Sequence, residues 1–298
     1  MSLPETDWTR AMREGDYDRA WSICERALAE RDPATRDDHN LPCHLRWVWD
    51  GRPFDGRHVL VRCYHGLGDT LQFARYLPLL RRRAASVTLE VQPRLVCLLA
   101  DIGVDRLVPF DPAHRLPESD CDIEIMELAF ALRTPPTRIR PPYLHAAPAV
   151  LPSGTIGLCF EAGEWDPERS IPPDLLRPLC GTRSCISLVS APTDIPVLNR
   201  DGCPFDMEAT ASLVAGVDLV ITVDTMIAHL AGAMNKPVWL LLKHEPDWRW
   251  SPAAGRSDWY PSMRLYTQPK SGDWASVAAQ VARDLEAMPA GQRREGTR

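Results

Sequence analysis

The chain has 298 residues, is 45% hydrophobic and 25% charged, and carries a formal net charge of −6. That is the composition of a globular protein of about two domains, and the negative balance excludes a broad nucleic-acid or anionic-membrane surface, so any phosphate site must be local. No apolar run reaches the roughly 20 residues needed to cross a bilayer, and the first seven residues show neither the basic nor the apolar region of a signal peptide, which predicts a cytoplasmic protein.

Residues 7–31 carry helical patterning interrupted around Gly15, with Trp8, Met12, Ala20, Trp21, Cys24 and Leu28 able to share one apolar side. This predicts a single helical hairpin, with no further copy at a fixed period. Residues 32–56 are polar and turn-rich, with Trp47 and Trp49 as docking anchors. From Val59 the pattern alternates between strand and helix, with strands at 58–63, 86–91, 106–110 and 121–126 and helices at 69–83, 93–101 and 127–133. Residues 134–148 hold five prolines in 15 positions and read as an interdomain linker. A second series follows, with strands at 155–160, 184–189, 218–223, 237–242 and 263–267 and helices at 173–180, 207–216, 225–234 and 273–288. Such alternation implies parallel sheets with right-handed crossovers. The expected organisation is a hairpin with its connecting segment (1–50), a first Rossmann-like domain (51–150), a second (151–288) and a disordered tail (289–298).

Two segments carry the strongest functional signal. His65-Gly66-Leu67-Gly68-Asp69-Thr70 follows one apolar strand, and Asp224-Thr225-Met226-Ile227-Ala228-His229 follows another. Each reads as a strand, a tight turn and a helix start, the place where open α/β sheets bind ligands and where helix N–H groups favour phosphate. Two such turns suggest two domains facing each other across a phosphorylated donor. Gly66 and Gly68 allow close backbone approach. Asp69, read at the first helix position, is either a general base facing the crevice or an N-cap. The glycine pattern lacks the third glycine of a dinucleotide site. Thr225 offers a hydroxyl and an N–H to a phosphate, and His229, four residues on, shares its face; a half-buried structural histidine is the alternative, as capping is for Asp224.

Arg169 and Ser170 lie in the loop after the first strand of the second series, where an arginine clamps a diphosphate or is a solvated surface charge. Glu208 opens a helix, where an acid either accepts from ribose hydroxyls or serves the helix start. Trp248 and Trp250 flank Arg249 and form either a stacking wall for a base or sugar, or a packed loop. The nine cysteines are odd in number and without a C-x-x-C pair, and read as reduced core thiols rather than a metal or redox site. The triplets Asp16-Tyr17-Asp18 and Asp120-Cys121-Asp122 have no histidine nearby, and no metal site is expected.

The run Gly66-Leu67-Gly68-Asp69-Thr70-Leu71-Gln72-Phe73-Ala74-Arg75-Tyr76-Leu77-Pro78 resembles the N-terminal motif of the heptosyltransferase-like glycosyltransferases of family 9. Asp224-Thr225 through His229-Leu230-Ala231-Gly232, then Lys236-Pro237-Val238-Trp239, resembles that family's C-terminal motif. Asp247-Trp248-Arg249-Trp250 and Trp259-Tyr260-Pro261-Ser262-Met263-Arg264-Leu265 resemble the branch associated with bacterial tetratricopeptide-repeat proteins, and the likeness spans about residues 45–285. The resemblance implies a GT-B fold, with the acceptor largely on the first domain and the nucleotide-sugar on the second. It implies metal-independent transfer without a cofactor, a nucleotide-diphosphate-sugar serving as co-substrate. It makes Asp69 the catalytic base, places Asp224, Thr225 and His229 near the donor's phosphates and sugar, sets Arg169 against the diphosphate and puts Glu208 near the ribose. The heptosyltransferases proper carry a lysine in the donor-phosphate loop, where this chain has arginine. The expected activity is sugar transfer from a nucleotide-diphosphate-sugar to a hydroxyl of a protein, peptide or saccharide. The alternatives are a non-catalytic GT-B module that binds a partner protein or a nucleotide, and another nucleotide-sugar enzyme such as an epimerase or hydrolase.

Overall fold

The computed structural model describes residues 6–251 and 254–288; the expected disordered tail, 289–298, lies outside them. The chain opens with α1 (Asp7–Glu14) and α2 (Tyr17–Ala29). Their separation is local chemistry. Gly15 takes φ +72° and closes α1, and the Asp16 side chain then accepts from Arg19 N–H to start α2. Asp16 is thus a helix cap.

The first sheet contains β1 (His58–Arg62), β2 (Ser86–Val91), β3 (Arg106–Pro109) and β4 (Cys121–Glu124), all parallel in the order β3-β2-β1-β4. Between β1 and β2 the helix expected at 69–83 forms in two pieces, α3 (Leu67–Phe73) and α4 (Leu77–Arg81), joined by a 3-10 turn. Pro78 has no N–H to give to Ala74 and would crowd its carbonyl, so a continuous α-helix cannot pass. The helix expected at 93–101 is reduced to a 3-10 turn at Pro93–Leu95 followed by further turns. After β4 comes the short α5 (Leu128–Ala131).

The proline-rich stretch lies against the second half of the molecule. Tyr143 and Leu144 N–H both donate to Ala233 O, and Ala149 N–H donates to Ser212 O. The second sheet takes β5 (Ile156–Cys159), then α6 (Arg177–Thr182), β6 (Cys185–Ser187), α7 (Met207–Gly216), β7 (Leu219–Val223), α8 (Met226–Ala233), β8 (Val238–Leu242), β9 (Met263–Thr267) and α9 (Trp274–Ala287). Its order is β6-β5-β7-β8-β9, again all parallel. The strands are nearly continuous apolar runs because helices cover both faces. The cysteines are all free, and Cys63, Cys121, Cys159, Cys185 and Cys203 are buried, where they fill space as small apolar groups.

The hairpin touches both halves. Arg31 pairs with Glu127 at 2.9 Å and Arg133 pairs with Glu25, on the side of the first sheet. Arg13 Nη2 donates to Pro246 O at 2.5 Å, Ser251 Oγ donates to Arg13 O at 2.6 Å, and Trp8 meets Trp248 edge-on at 4.8 Å, on the side of the second.

A buried charge cluster ties the first sheet together. Arg62 on β1 donates to Asp122 on β4 at 2.6 and 2.9 Å and to Glu90 on β2 at 2.9 Å, and all three side chains are at most 2% exposed. Burial pushes the Asp122 carboxyl up, against the pull of Ser119 N–H and Arg62. Replacing Arg62 with methionine keeps the volume but strands two buried carboxylates, which costs about 3–5 kcal/mol. Urea unfolding of Arg62→Met should show a loss of that size at neutral pH, shrinking on acidification as the carboxylates are neutralised; wild-type stability would disprove the account.

Candidate functional site

A cavity of about 670 Å³ opens between the carboxyl ends of the two sheets. Both sequence turns line it: Gly66, Gly68 and Asp69 from the first half, Asp224, Thr225 and His229 from the second. They meet because α3 packs directly on α8. A Cβ on Gly68 would lie 2.9 Å from His229 Cδ2 and 3.4 Å from Met226 Cα, so only glycine permits this approach without a shift.

On the first side the helix starts earlier than expected. Gly66 is extended and caps α3, so Asp69 stands at the third helical position, not the first. Its Oδ2 accepts from Gly66 N–H at 2.9 Å, and its Oδ1 pairs with Arg249 Nη2 at 2.5 Å. The aspartate therefore combines both readings, a helix-start acceptor and a carboxylate on the cavity. Thr70 is buried and does not line the cavity. Its hydroxyl donates to Gln92 Oε1, while Gln92 Nε2 donates to His65 O at 2.8 Å, which fixes the turn from below.

On the second side Thr225, not Asp224, caps α8, its hydroxyl accepting from Ile227 N–H at 3.2 Å. In the first turn of α8 the N–H groups of Ile227 and Ala228 are taken by the Thr225 hydroxyl and carbonyl, which leaves the Met226 N–H without an intrahelical partner, and Thr225, Met226 and Ile227 line the cavity. Asp224 is 9% exposed. Burial and the neighbouring Asp247 carboxylate push its carboxyl up to about 6, against the Trp250 side chain and the guanidiniums of Arg169 and Arg249. His229 is held well below the usual imidazole value by burial and by Arg249, Arg75 and Arg169. It is neutral at physiological pH, with Nδ1 3.1 Å from the Tyr260 hydroxyl and its ring stacked on Trp250. It can offer a hydrogen bond to a ligand but not a cation.

Arg169 is buried at the cavity wall. Its Nη1 donates to Asp224 O at 2.7 Å and its guanidinium lies 4.0 Å over the Trp165 ring. It is a built-in cation rather than a solvated one. Ser170 does not line the cavity; its hydroxyl accepts from Ala162 N–H at 2.9 Å and shapes the loop. A lysine also serves this loop: Lys243, just beyond β8, lies 2.9 Å from Asp166.

Other sequence candidates lie off this cavity. Trp250 is fully buried against His229 and has no face for a ligand, and Trp248 packs on Trp8 and Trp259 away from this cavity. Neither indole therefore forms a stacking wall on this cavity. Glu208 sits in the first turn of α7 on a separate groove beside Cys97, not on the main cavity. Among the described residues no group of histidine, cysteine or acidic side chains is arranged to hold a metal.

Other cavity residues carried no assigned role in the sequence. Arg249 is 9% exposed and contacts Asp69, Asp247 and Gln72 Oε1. Arg94, three residues beyond β2, lies on the cavity with its guanidinium over Phe205. His65 Nδ1 lies 3.1 Å from the buried Glu124 Oε1. Burial opposes charge on His65, but Glu124 and Asp69 outweigh it and raise its pKa; burial raises that of Glu124. A strand-end position is the signal shared by Arg94 and Glu124.

With this geometry in hand, comparison with known proteins is informative. A family model described as glycosyltransferase family 9 (heptosyltransferase) matches residues 203–271. A comparison with curated proteins finds no match. Among solved structures, a family 9 glycosyl transferase from Veillonella parvula aligns at TM-score 0.55 and 12% identity, covering 79% of this chain and 98% of its own. E. coli heptosyltransferase WaaC with ADP-2-deoxy-2-fluoro heptose aligns at TM-score 0.56 and 13% identity, covering 77% and 99%. E. coli ADP-heptose LPS heptosyltransferase II aligns at TM-score 0.52 and 15% identity, covering 77% and 98%. At such identities the likeness concerns the fold: two facing parallel sheets in the GT-B arrangement.

The Asp224 environment predicts a pH signature. Its carboxyl pKa rises from 3.8 to about 6 on folding, so its contribution to stability is full below about pH 4 and lost as pH rises through 6. Asn at this position does not titrate. The unfolding free energy of Asp224→Asn minus that of the wild type should therefore climb between pH 4 and 7 by up to about 3 kcal/mol. A pH-independent difference would refute the buried, charge-crowded carboxylate.

Proposed function

We propose that the protein is a glycosyltransferase that moves a sugar from a nucleoside-diphosphate donor to a hydroxyl acceptor. The observation that carries this reading is the sharing of one cavity by the Asp69 turn and the Thr225 turn, from opposite sheets and at strand carboxyl ends. The family match over residues 203–271 covers the second of these turns. We assign residues 51–150 to the acceptor side and 151–288 to the donor side.

In this reading the diphosphate lies at the α8 N-terminus. Thr225, the Met226 N–H at the helix start and Arg169 stabilise the negative charge that develops as the bond from the anomeric carbon to the diphosphate breaks. The positive charge comes from arginine and the helix end, so the step needs no metal. Asp69 takes the acceptor proton as the acceptor oxygen bonds to the anomeric carbon. Gly66 N–H and Arg249 hold the two carboxylate oxygens, which orients them and leaves each a further lone pair for the acceptor hydroxyl. Neutral His229 and Asp224 are placed to hydrogen-bond the donor sugar. Two of the similar proteins are named for ADP-heptose or its analogue, which makes ADP and ADP-heptose the first donor probes. The likeness to the tetratricopeptide-associated branch belongs to the same reading, with the α1–α2 hairpin in place of a repeat array.

The test is a thermal-shift screen against nucleoside diphosphates and their sugar conjugates, followed by release of nucleoside diphosphate from the donor that binds. A ligand specific for the native state raises the melting temperature with concentration. Asp69→Asn should keep the shift while lowering turnover about 10²–10⁴-fold. Full activity in that variant would sink the assignment of the base, and the absence of any shift from folded protein would sink the donor site.

A further inference from the structure

A second cavity, of about 300 Å³, lies between the α1–α2 hairpin and the first sheet, and nothing above gives it a role. We propose that it is the acceptor subsite and that it holds a pyranose ring of a saccharide acceptor; this rests on the glycosyl-transfer reading. Its walls carry five indoles, Trp8, Trp21, Trp47, Trp248 and Trp259. The two tryptophans that leave the main cavity without a stacking wall thus differ: Trp250 is buried, while Trp248 faces this second space. At 300 Å³ the volume stands at the lower end of small-molecule sites, the size for a ring rather than a long chain.

The polar groups on the wall decide the chemistry. Arg46 Nη1 and Glu127 Oε2 are buried and have no hydrogen-bond partner among the described residues. Arg46 Nη1 reaches Asp37 Oδ1 only at 3.7 Å, while Glu127 holds Arg31 with its other oxygen. A buried donor or acceptor left unmade costs about 1–3 kcal/mol, so these two atoms call for a ligand that both gives and receives hydrogen bonds. A purely apolar guest satisfies neither, and a phenol presents one hydroxyl to groups on two different chain segments. A pyranose presents C–H faces to the electron-rich indole faces and hydroxyls around its edge to Arg46 and Glu127.

Continuity with the main cavity supplies the second argument. His65 and Met126 line both spaces. His65 immediately precedes Gly66, whose N–H holds Asp69. A ring seated among the indoles therefore presents its hydroxyl edge at His65, one turn of chain from the proposed base. His65 Nδ1 lies 3.1 Å from Glu124 Oε1 as a charge contact without hydrogen-bond geometry, so the imidazole can still meet that hydroxyl. The hairpin becomes one wall of the acceptor site.

The test titrates the full chain with methyl glucoside, mannoside, galactoside and rhamnoside, following indole fluorescence, beside a parallel ADP thermal-shift titration. At least one pyranoside should give a saturable change. Trp47→Leu and Glu127→Gln should each weaken that binding at least tenfold, with the ADP shift unchanged; the unchanged shift also shows that the variants fold. The proposal is overturned if no pyranoside binds while ADP does, if both variants bind the sugar as the wild type does, or if only benzyl alcohol or a serine-containing peptide perturbs the indoles. Pyranoside binding without any nucleotide binding would keep the cavity assignment and remove the transfer reading instead.

Discussion

A guanidinium buried at the meeting of the two halves sets the constraint that the rest of the cleft obeys. Arg249 is carried by the loop after β8, yet its charge is met across the boundary by Asp69 at 2.5 Å and by Gln72 Oε1 at 2.7 Å, besides Asp247 at 2.8 Å on its own loop. Removing one partner from a buried pair leaves an uncompensated charge that costs several kcal/mol. The arginine is therefore satisfied only when α3 lies against α8. Gly68 makes that approach sterically open, since any side chain there would press on His229. Arg75, also buried, reinforces the contact by donating to Trp259 O at 2.8 Å and lying 4.7 Å over the Tyr260 ring.

The same arginines set the electrostatics of the cavity. Arg249, Arg75 and Arg169, with burial, keep His229 neutral, so the histidine adds hydrogen bonding and no positive charge. Asp224 responds oppositely: burial and Asp247 outweigh the guanidiniums and leave it close to half-protonated near pH 6. Positive charge for an anionic ligand thus resides on groups that do not titrate in the physiological range, the arginines and the α8 helix end. Asp69 and Asp224 face the same space in different settings: one is paired with Arg249 and partly exposed, while the other is enclosed.

Much of this was legible in the sequence, for reasons that also mark where legibility stops. The apolar runs 219–223 and 238–242 announced buried parallel strands, and the turns at Gly66–Asp69 and Asp224–Thr225 followed from their strand-end positions. Pro78 contained the break between α3 and α4, and a reading by periodicity alone passed over it. The third-position placement of Asp69 depends on Gly66 taking an extended, capping conformation, which a glycine does not announce. The sequence left two readings open for Trp248, Trp250 and Glu208 because a motif reports chemistry without saying which neighbour covers it. Arg249 and the His65–Glu124 pair were unassigned because their partners lie on other elements: Asp69 for the arginine, and the end of β4 for the histidine.

The loop from Pro246 to Tyr260 belongs to the second half by sequence and is held by both halves in the fold. Arg13 holds Pro246 O, Ser251 holds Arg13 O, Tyr17 donates to Asp258 at 3.0 Å, and Trp8 packs on Trp248. Arg75 holds Trp259, and Arg249 holds Asp69. The hairpin is in turn fixed to the first half through Arg31–Glu127 and Glu25–Arg133. On the other side the Tyr260 hydroxyl lies 3.1 Å from His229 Nδ1, the buried Trp250 stacks on that histidine, and Leu265 N–H donates to Gly255 O at 3.2 Å. Any separation of the two sheets must therefore break one of these two sets. Arg249 on Asp69 is a contact of the joined halves, and the orientation of the carboxylate is set in part from the donor side. A hairpin that looks in sequence like an appendage is, in the folded chain, part of what keeps that loop and its arginine beside Asp69.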